Sequence, residues 1–230
     1  IKAYDLSYGY EIATVIHRGM VEMVEEEKDV IYYLTLENEN YKHPEIPHGV
    51  SQDIIKGLYK IKTSKKPTIR LLGSGPLMRE ALAAAELLQN DWGIEPGVWN
   101  VTSFSELRRE AEEIERWNLI NPEKEPKLSH LKKSLSKHKV PTVAVSDYVK
   151  MVAEQIGPYV PGPYYALGTD GFGRSETREN LRSFFEIDRY YIVLTALRAL
   201  VNEGEVEIAL VSKAMKKYNL DPEKPSPITV

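Results

Sequence analysis

Hydrophobic positions at the start of the chain recur with two different periods. Tyr8, Ile12, Val15, Ile16, Met20, Met23 and Val24 fall at helical spacing, so Ser7 to Glu27 is predicted to be an amphipathic helix. Asp29 to Leu36, DVIYYLTL, is β-branched and aromatic on both parities, the pattern of a strand buried on both faces. The polar stretch ENENYKHPEIPHG follows, broken by Pro44, Pro47 and Gly49, and reads as a loop at the C-terminal end of that strand. Gly57 to Ile61 reads as one more short strand, and Thr63 to Pro67, TSKKP, as a linker.

Beyond Pro67 the pattern alternates regularly. Strands are predicted at Thr68 to Leu72, Val98 to Thr102, Thr142 to Val145 and Tyr164 to Leu167. Between them lie helices at Pro76 to Gln89, from a Ser103/Glu106 capping box to Trp117, at Leu128 to Leu135, and after Asp147 as N-cap. Helices at Thr177 to Phe185, Tyr190 to Asn202 and Glu205 to Tyr218 close the chain. Strands alternating with helices imply a mostly parallel sheet covered on both faces. The expected fold is therefore α/β: an incomplete unit at residues 1–62 and a complete three-layer α/β/α domain at 67–230. A strand buried on both faces needs neighbours that the first unit does not contain.

Composition narrows the function classes. The 230 residues carry 30 Lys and Arg against 34 Asp and Glu, a formal charge of −4, so no overall basic character points to nucleic acid. The absence of cysteine excludes disulfides and thiolate metal sites. Tyr190 to Val201 is broken by Arg198 and is too short to cross a bilayer, so no membrane partner is expected. Ile1 to Ser7 has no basic region followed by an apolar one, so no signal peptide is read there. A first residue of Ile suggests a piece of a longer protein.

Individual motifs carry little chemistry by themselves. Gly73-Ser74-Gly75 joins a strand to a helix, but Met78 stands where a dinucleotide fingerprint needs its third glycine, so a tight turn is the expected role. His43 and His48 share a loop with Glu39 and Glu45 without the spacing of metal ligands. No G-x-S-x-G, phosphate-binding Walker loop or H-E-x-x-H occurs. Gly168 to Ser175, GTDGFGRS, carries three glycines with Asp170 and Arg174. It reads as a structural turn at a domain or subunit contact, with those two side chains pairing across it.

Longer strings resemble one family. GTDGFGRSETRENLRSFFEID at Gly168 to Asp188 is similar to the C-terminal signature of homodimeric-type pyruvate dehydrogenases of the transketolase superfamily. VTSFSEL at Val101 to Leu107, ERWN at Glu115 to Asn118, LLGSG at Leu71 to Gly75 and NENY at Asn38 to Tyr41 resemble the same family, in its order. The opening YDLSYGYEIA resembles the last helix of the family's pyrimidine-binding domain.

The resemblance implies that residues 1–62 are the tail of a pyrimidine-binding domain and that 67–230 form a transketolase C-terminal-like domain. It implies a thiamine-diphosphate- and Mg²⁺-dependent oxidoreductase that decarboxylates pyruvate and passes acetyl to lipoyl groups, linking glycolysis to acetyl-CoA formation. Its implied partners are a second copy of itself and the lipoyl acyltransferase core, and its implied place is the cytoplasm. The family's metal motif and its glutamate-bearing strand are absent from these residues, so the piece alone is expected to bind neither cofactor nor metal and to contain no catalytic residue. Asn38, Glu39, Asn40 and Tyr41 are expected to border the active-site entrance. Asp170 and Arg174 are expected at a structural or dimer contact. Lys42-His43 departs from the family's usual residues after NENY. Two other readings stay open: a free-standing α/β binding or dimerisation module, and the C-terminal domain of another transketolase-superfamily enzyme.

Overall fold

The computed structural model describes residues 1–62 and 64–230. Thr63, the first residue of the expected linker, lies outside them. The chain runs β1 (Lys2–Asp5), α1 (Gly9–Met20), a π turn (Val21–Glu25), β2 (Tyr32–Thr35), α2 (Ser51–Lys56) and β3 (Leu58–Lys62). It continues through β4 (Ile69–Gly73), α3 (Met78–Trp92), β5 (Pro96–Val101), α4 (Phe104–Ile120), α5 (His130–Leu135) and β6 (Thr142–Val145). The remaining elements are α6 (Lys150–Glu154), β7 (Tyr164–Leu167), α7 (Arg178–Phe184), α8 (Arg189–Asn202) and α9 (Ala209–Lys217).

The main sheet has the order β3-β5-β4-β6-β7. β4 lies parallel to both β5 and β6, and β6 is parallel to β7, whereas β3 runs antiparallel to β5 at the edge. This is the mostly parallel sheet, covered on both faces, that the alternating pattern predicts. β4 is buried at every residue, as a central parallel strand must be. On one face Ile69, Leu71, Val98, Val143 and Val145 meet α3, α8 and α9. The small side chains Ala81, Ala84 and Ala85 of α3 let α8 pack closely with Val193, Ala196, Leu197 and Leu200. On the other face Leu58, Leu72, Val101 and Ala144 meet Phe104, Leu107, Leu131, Leu135 and Ala153 of α4, α5 and α6.

The N-terminal unit is smaller. β1 and β2 form a two-stranded parallel sheet, and Tyr4, Leu6 and Val15 pack with Ile54 and Tyr59. β3 precedes the expected linker, yet pairs with β5 of the main sheet.

Local chemistry sets most element ends. Ser103 accepts from the Glu106 N–H at 3.1 Å to start α4, and Asp188 accepts from the Tyr190 and Tyr191 N–H groups to start α8. Gly57 ends α2 at φ 102°, where a Cβ would meet the Ser103 carbonyl at 2.6 Å.

Several expectations need correction. The strand predicted at Asp29 to Leu36 is confined to β2, and Ile31, Tyr33 and Leu36 are exposed: one neighbouring strand and α1 cover only part of it. β1 and α2 are too short to give a readable period. Asp147 does not cap α6, because the Lys150 N–H is taken at 2.8 Å by the Asp170 carboxylate. Asp170 and Arg174 do not pair with each other. Gly171, at φ 103°, turns the chain between them, and the Arg174 guanidinium lies 5.3 Å from the Phe184 ring.

Candidate functional site

The C-terminal ends of four strands converge on one cleft. β1 ends in Asp5, β2 leads into Glu37, β4 ends at Gly73 before Ser74, and β6 leads into Asp147. Strand ends of this kind are where open α/β sheets collect ligands. Two adjoining cavities, of about 320 and 410 Å³, share Glu37 and Asp147 as lining residues. The first is also lined by Thr169, Gly171, Gly173, Arg174, Arg178 and Arg182, and the second by Asp5, Tyr33, Thr35 and Tyr148.

Asp5 is fixed from both sides. Thr35 Oγ1 donates to Oδ1 at 2.7 Å and Ser74 Oγ donates to Oδ2 at 2.9 Å. Gly75 sits at φ 50°, and a Cβ there would lie 2.6 Å from Asp5 Oδ1. The glycine–serine–glycine turn thus ties β4 to β1 through a carboxylate. Burial pushes Asp5 above the ordinary carboxylate range, against the hydrogen bonds from Thr35 and Ser74. Burial likewise raises Glu37, assisted by the charges of Asp147 and Asp5. Burial raises Asp147 too, with Arg182 and Arg178 opposing it.

The loop containing Asn38 to Tyr41 forms the wall beside these groups. Asn38 Oδ1 accepts from Arg178 Nη2 at 2.5 Å. Glu39 pairs with Arg79 and lies 3.6 Å from both Arg178 and Arg182. These guanidiniums hold its carboxyl below the usual range against partial burial. Arg182 reaches on to Glu80 at 3.5 Å, and Glu80 also accepts from Arg189 at 2.9 Å. Tyr41 donates to the Ser7 carbonyl at 2.5 Å, and the Arg79 guanidinium lies 4.4 Å from its ring. Asn40, between them, is exposed.

The structure therefore joins the two stretches singled out in the sequence: Asn38 and Glu39 contact Arg178, three residues after the GTDGFGRS string. Arg174 lines the cleft, while Asp170 supports its rim through Lys150. His43 accepts from the Gly9 N–H at 2.9 Å and stacks on Tyr41, so it caps α1.

Sequence reasoning missed Asp5, Glu37 and Asp147. Their only signal was position, each at or just past a strand end. It also missed Glu11, which is fully buried beneath the cleft. Its carboxylate accepts from the Ser7 and Tyr8 N–H groups at 2.6 and 3.1 Å, from Asn100 Nδ2 at 2.6 Å and from the Tyr59 hydroxyl. Burial nevertheless pushes it up to about 7.

The cleft carboxyls are all shifted upward by burial, and the arginines beside them can orient anionic groups. Among the described residues, no three His, Asp or Glu side chains converge to hold a metal ion. With no such cluster, and with both Asp5 oxygens already accepting hydrogen bonds from Thr35 and Ser74, these donors do not fit a metal-held diphosphate.

Comparison with known proteins gives the relationship. Residues 57–188 match the family model for the transketolase-like C-terminal domain. Residues 1–44 match that for the middle domain of the pyruvate dehydrogenase E1 component. A pyruvate dehydrogenase E1 component of Cupriavidus necator is 52% identical over 232 residues, covering 99% of this chain and 26% of that protein. The Escherichia coli one is 43% identical over 229 residues, covering 98% and 26%. The chain thus spans about a quarter of the length of these relatives. Among solved structures, a transketolase from Pichia stipitis superposes with a TM-score of 0.64 at 16% identity, covering 89% of this chain and 26% of that one. A transketolase from Leishmania mexicana gives 0.61 at 16% identity, covering 99% and 26%. At that identity the likeness concerns fold alone. The chain belongs to the transketolase-like C-terminal domain family, and over nearly its whole length its sequence is akin to that of pyruvate dehydrogenase E1 components.

Proposed function

We propose that this chain is the C-terminal part of a pyruvate dehydrogenase E1 component, and that the intact protein decarboxylates pyruvate and transfers the acetyl group to lipoyl groups. The observation that carries this is the identity of 52% to a protein of that name across 99% of the chain. Residues 1–62 complete a middle domain, with β3 lent to the neighbouring sheet, and 67–230 form the C-terminal domain. Breaking a 2-oxoacid's carbon–carbon bond needs an electron sink, which thiamine diphosphate supplies in the intact protein together with Mg²⁺. In this reading both are held by parts of the intact protein outside these residues.

The part played by these residues is to wall and orient. Asn38, Glu39, Asn40 and Tyr41 border the active-site entrance, fastened by Arg79, Arg178 and Arg182. Asp170 and Arg174 hold the rim next to a subunit contact, in a homodimer that serves a lipoyl acyltransferase core in the cytoplasm. No helix among the described residues is long and apolar enough to cross a membrane.

The intact mass of the native gene product tests this reading. A chain of 26.2 kDa that spans 26% of its relatives implies about 100 kDa for the whole. A native product no larger than 26.2 kDa supports a free-standing module instead.

A further inference from the structure

Two stretches of the chain contain no acidic residue. Ile54 to Met78 carries Lys56, Lys60, Lys62, Lys65, Lys66 and Arg70, and Pro126 to Ser146 carries Lys127, Lys132, Lys133, Lys137 and Lys139. A chain of formal charge −4 thus gathers many of its cations into two short segments. The fold places these segments side by side on one edge of the main sheet. His130, at the start of α5, meets the carbonyl of Leu58 in β3 at 2.7 Å. The turn after α5 is fastened by Arg70, whose Nη2 donates to the carbonyls of Leu135 and His138 at 2.9 and 2.7 Å.

Arg70 itself is unusual. It is 1% exposed, faces no carboxylate among the described residues, and has an Nε without a hydrogen-bond partner. Its other partner is the neutral Thr142 hydroxyl. A buried guanidinium held only by neutral groups leaves its positive charge uncompensated. Trp99 lies between the two segments, with the Arg70 guanidinium 5.5 Å and the Lys60 ammonium 5.0 Å from its ring. Burial, then the charges of Lys137 and Arg70, pushes the Lys60 ammonium down. Lys60, Lys65, Lys66, Lys133, Lys137 and Lys139 are exposed, and among the described residues none of them forms an ion pair. β3 is also an edge strand, paired on one side alone among the described residues. Lysines on an edge strand discourage pairing between copies. That role explains Lys60 and Lys62, but not the buried Arg70 or the basic turn at 132–139.

We propose that this edge is a docking surface for an acidic, extended segment of a partner protein, laid along β3 with its carboxylates among Lys60, Lys133, Lys137 and Lys139. Strand addition supplies backbone hydrogen bonds, and the lysines select for acidic side chains. The surface lies apart from the cleft, so the proposal stands independently of the catalytic reading.

A fluorescent oligoglutamate peptide, titrated into the full-length protein at low salt and followed by anisotropy, tests it. Lys60→Glu with Lys137→Glu is expected to weaken binding about tenfold or more, and the peptide is expected to slow amide exchange at 60–62. The same charge change on α9, Lys213→Glu with Lys216→Glu, is expected to leave binding nearly unchanged. If the edge-strand variant fails to fold, Lys133→Glu with Lys139→Glu carries the same expectation. Equal weakening by the α9 pair overturns the proposal in favour of diffuse attraction. Tighter binding of an oligothymidylate of equal charge overturns it in favour of nucleic acid, and absence of peptide binding overturns it outright.

Discussion

Replacing Glu11 by Gln isolates one buried charge and its pH dependence. Glu11 joins α1 to the main sheet through Asn100 of β5 and Tyr59 of β3, and it also accepts two backbone N–H groups. Burial raises its carboxyl from 4.5 to about 7 even so. The folded chain therefore binds this proton more tightly than the unfolded chain. The resulting stability is complete below pH 4.5 and is lost as pH rises through about 7. At about 1.4 kcal/mol per pH unit, the gap amounts to about 3 kcal/mol, most of which disappears between about pH 5 and pH 8. Glu11→Gln cannot titrate. Its amide turns one acceptor into a donor facing donors, which costs about 1–3 kcal/mol at low pH. Urea unfolding of the wild type and the variant across that range is the assay. The two stabilities are expected to converge by about 2–3 kcal/mol as pH rises. A constant difference between them, or a wild type that gains stability toward pH 8 relative to the variant, refutes the reasoning.

Other substitutions probe the cleft and its rim. Arg174→Ala is expected to lower stability by only about 0.5–1 kcal/mol in thermal unfolding, because the residue loses an aromatic contact and not an ion pair. Gly171→Ala is expected to cost more, about 1–3 kcal/mol, since φ is 103° and the new Cβ would lie 2.2 Å from the Pro227 carbonyl; unfolding midpoints check this. Glu39→Ala in the full-length protein releases Arg79, Arg178 and Arg182 and is expected to lower turnover about tenfold, while calorimetry finds the dissociation constant of thiamine diphosphate unchanged. Tyr41→Phe removes a hydrogen bond to the Ser7 carbonyl, worth about 1 kcal/mol, and Asn40→Ala removes an exposed amide from the same loop; both are expected to lower turnover more than melting temperature.

The main sheet was legible because its central strands β4, β5 and β6 are buried on both faces and its helices carry clear apolar stripes. Thr142 to Val145 and Tyr164 to Leu167 are found with the bounds the pattern predicts. The N-terminal unit was harder to read. β1 has four residues and α2 six, too few for a period to emerge, and exposed Tyr33 and Leu36 look like core residues in a linear pattern. The antiparallel place of β3 depends on a partner nearly forty residues away, and no local signal encodes that.

The cleft was half visible. Asn38 to Tyr41 and the glycine-rich loop stood out as strings, and the structure joins them through Arg178. The carboxylates did not stand out, because an Asp after a strand is as good a helix cap as a cleft residue. Only the Asp170–Lys150 bond shows that Asp147 is free to face the cleft. Glu11 was hidden for a similar reason: a glutamate in the first turn of an amphipathic helix ordinarily faces water.

The central claim is that these residues complete a thiamine-dependent enzyme acting on pyruvate. Carbon dioxide release from pyruvate by the purified full-length protein, with thiamine diphosphate and Mg²⁺ added or withheld, tests it most directly. The account predicts release that depends on both additions, with none from residues 1–230 alone. A full-length protein that is folded and loaded with cofactor yet releases no carbon dioxide from pyruvate contradicts it.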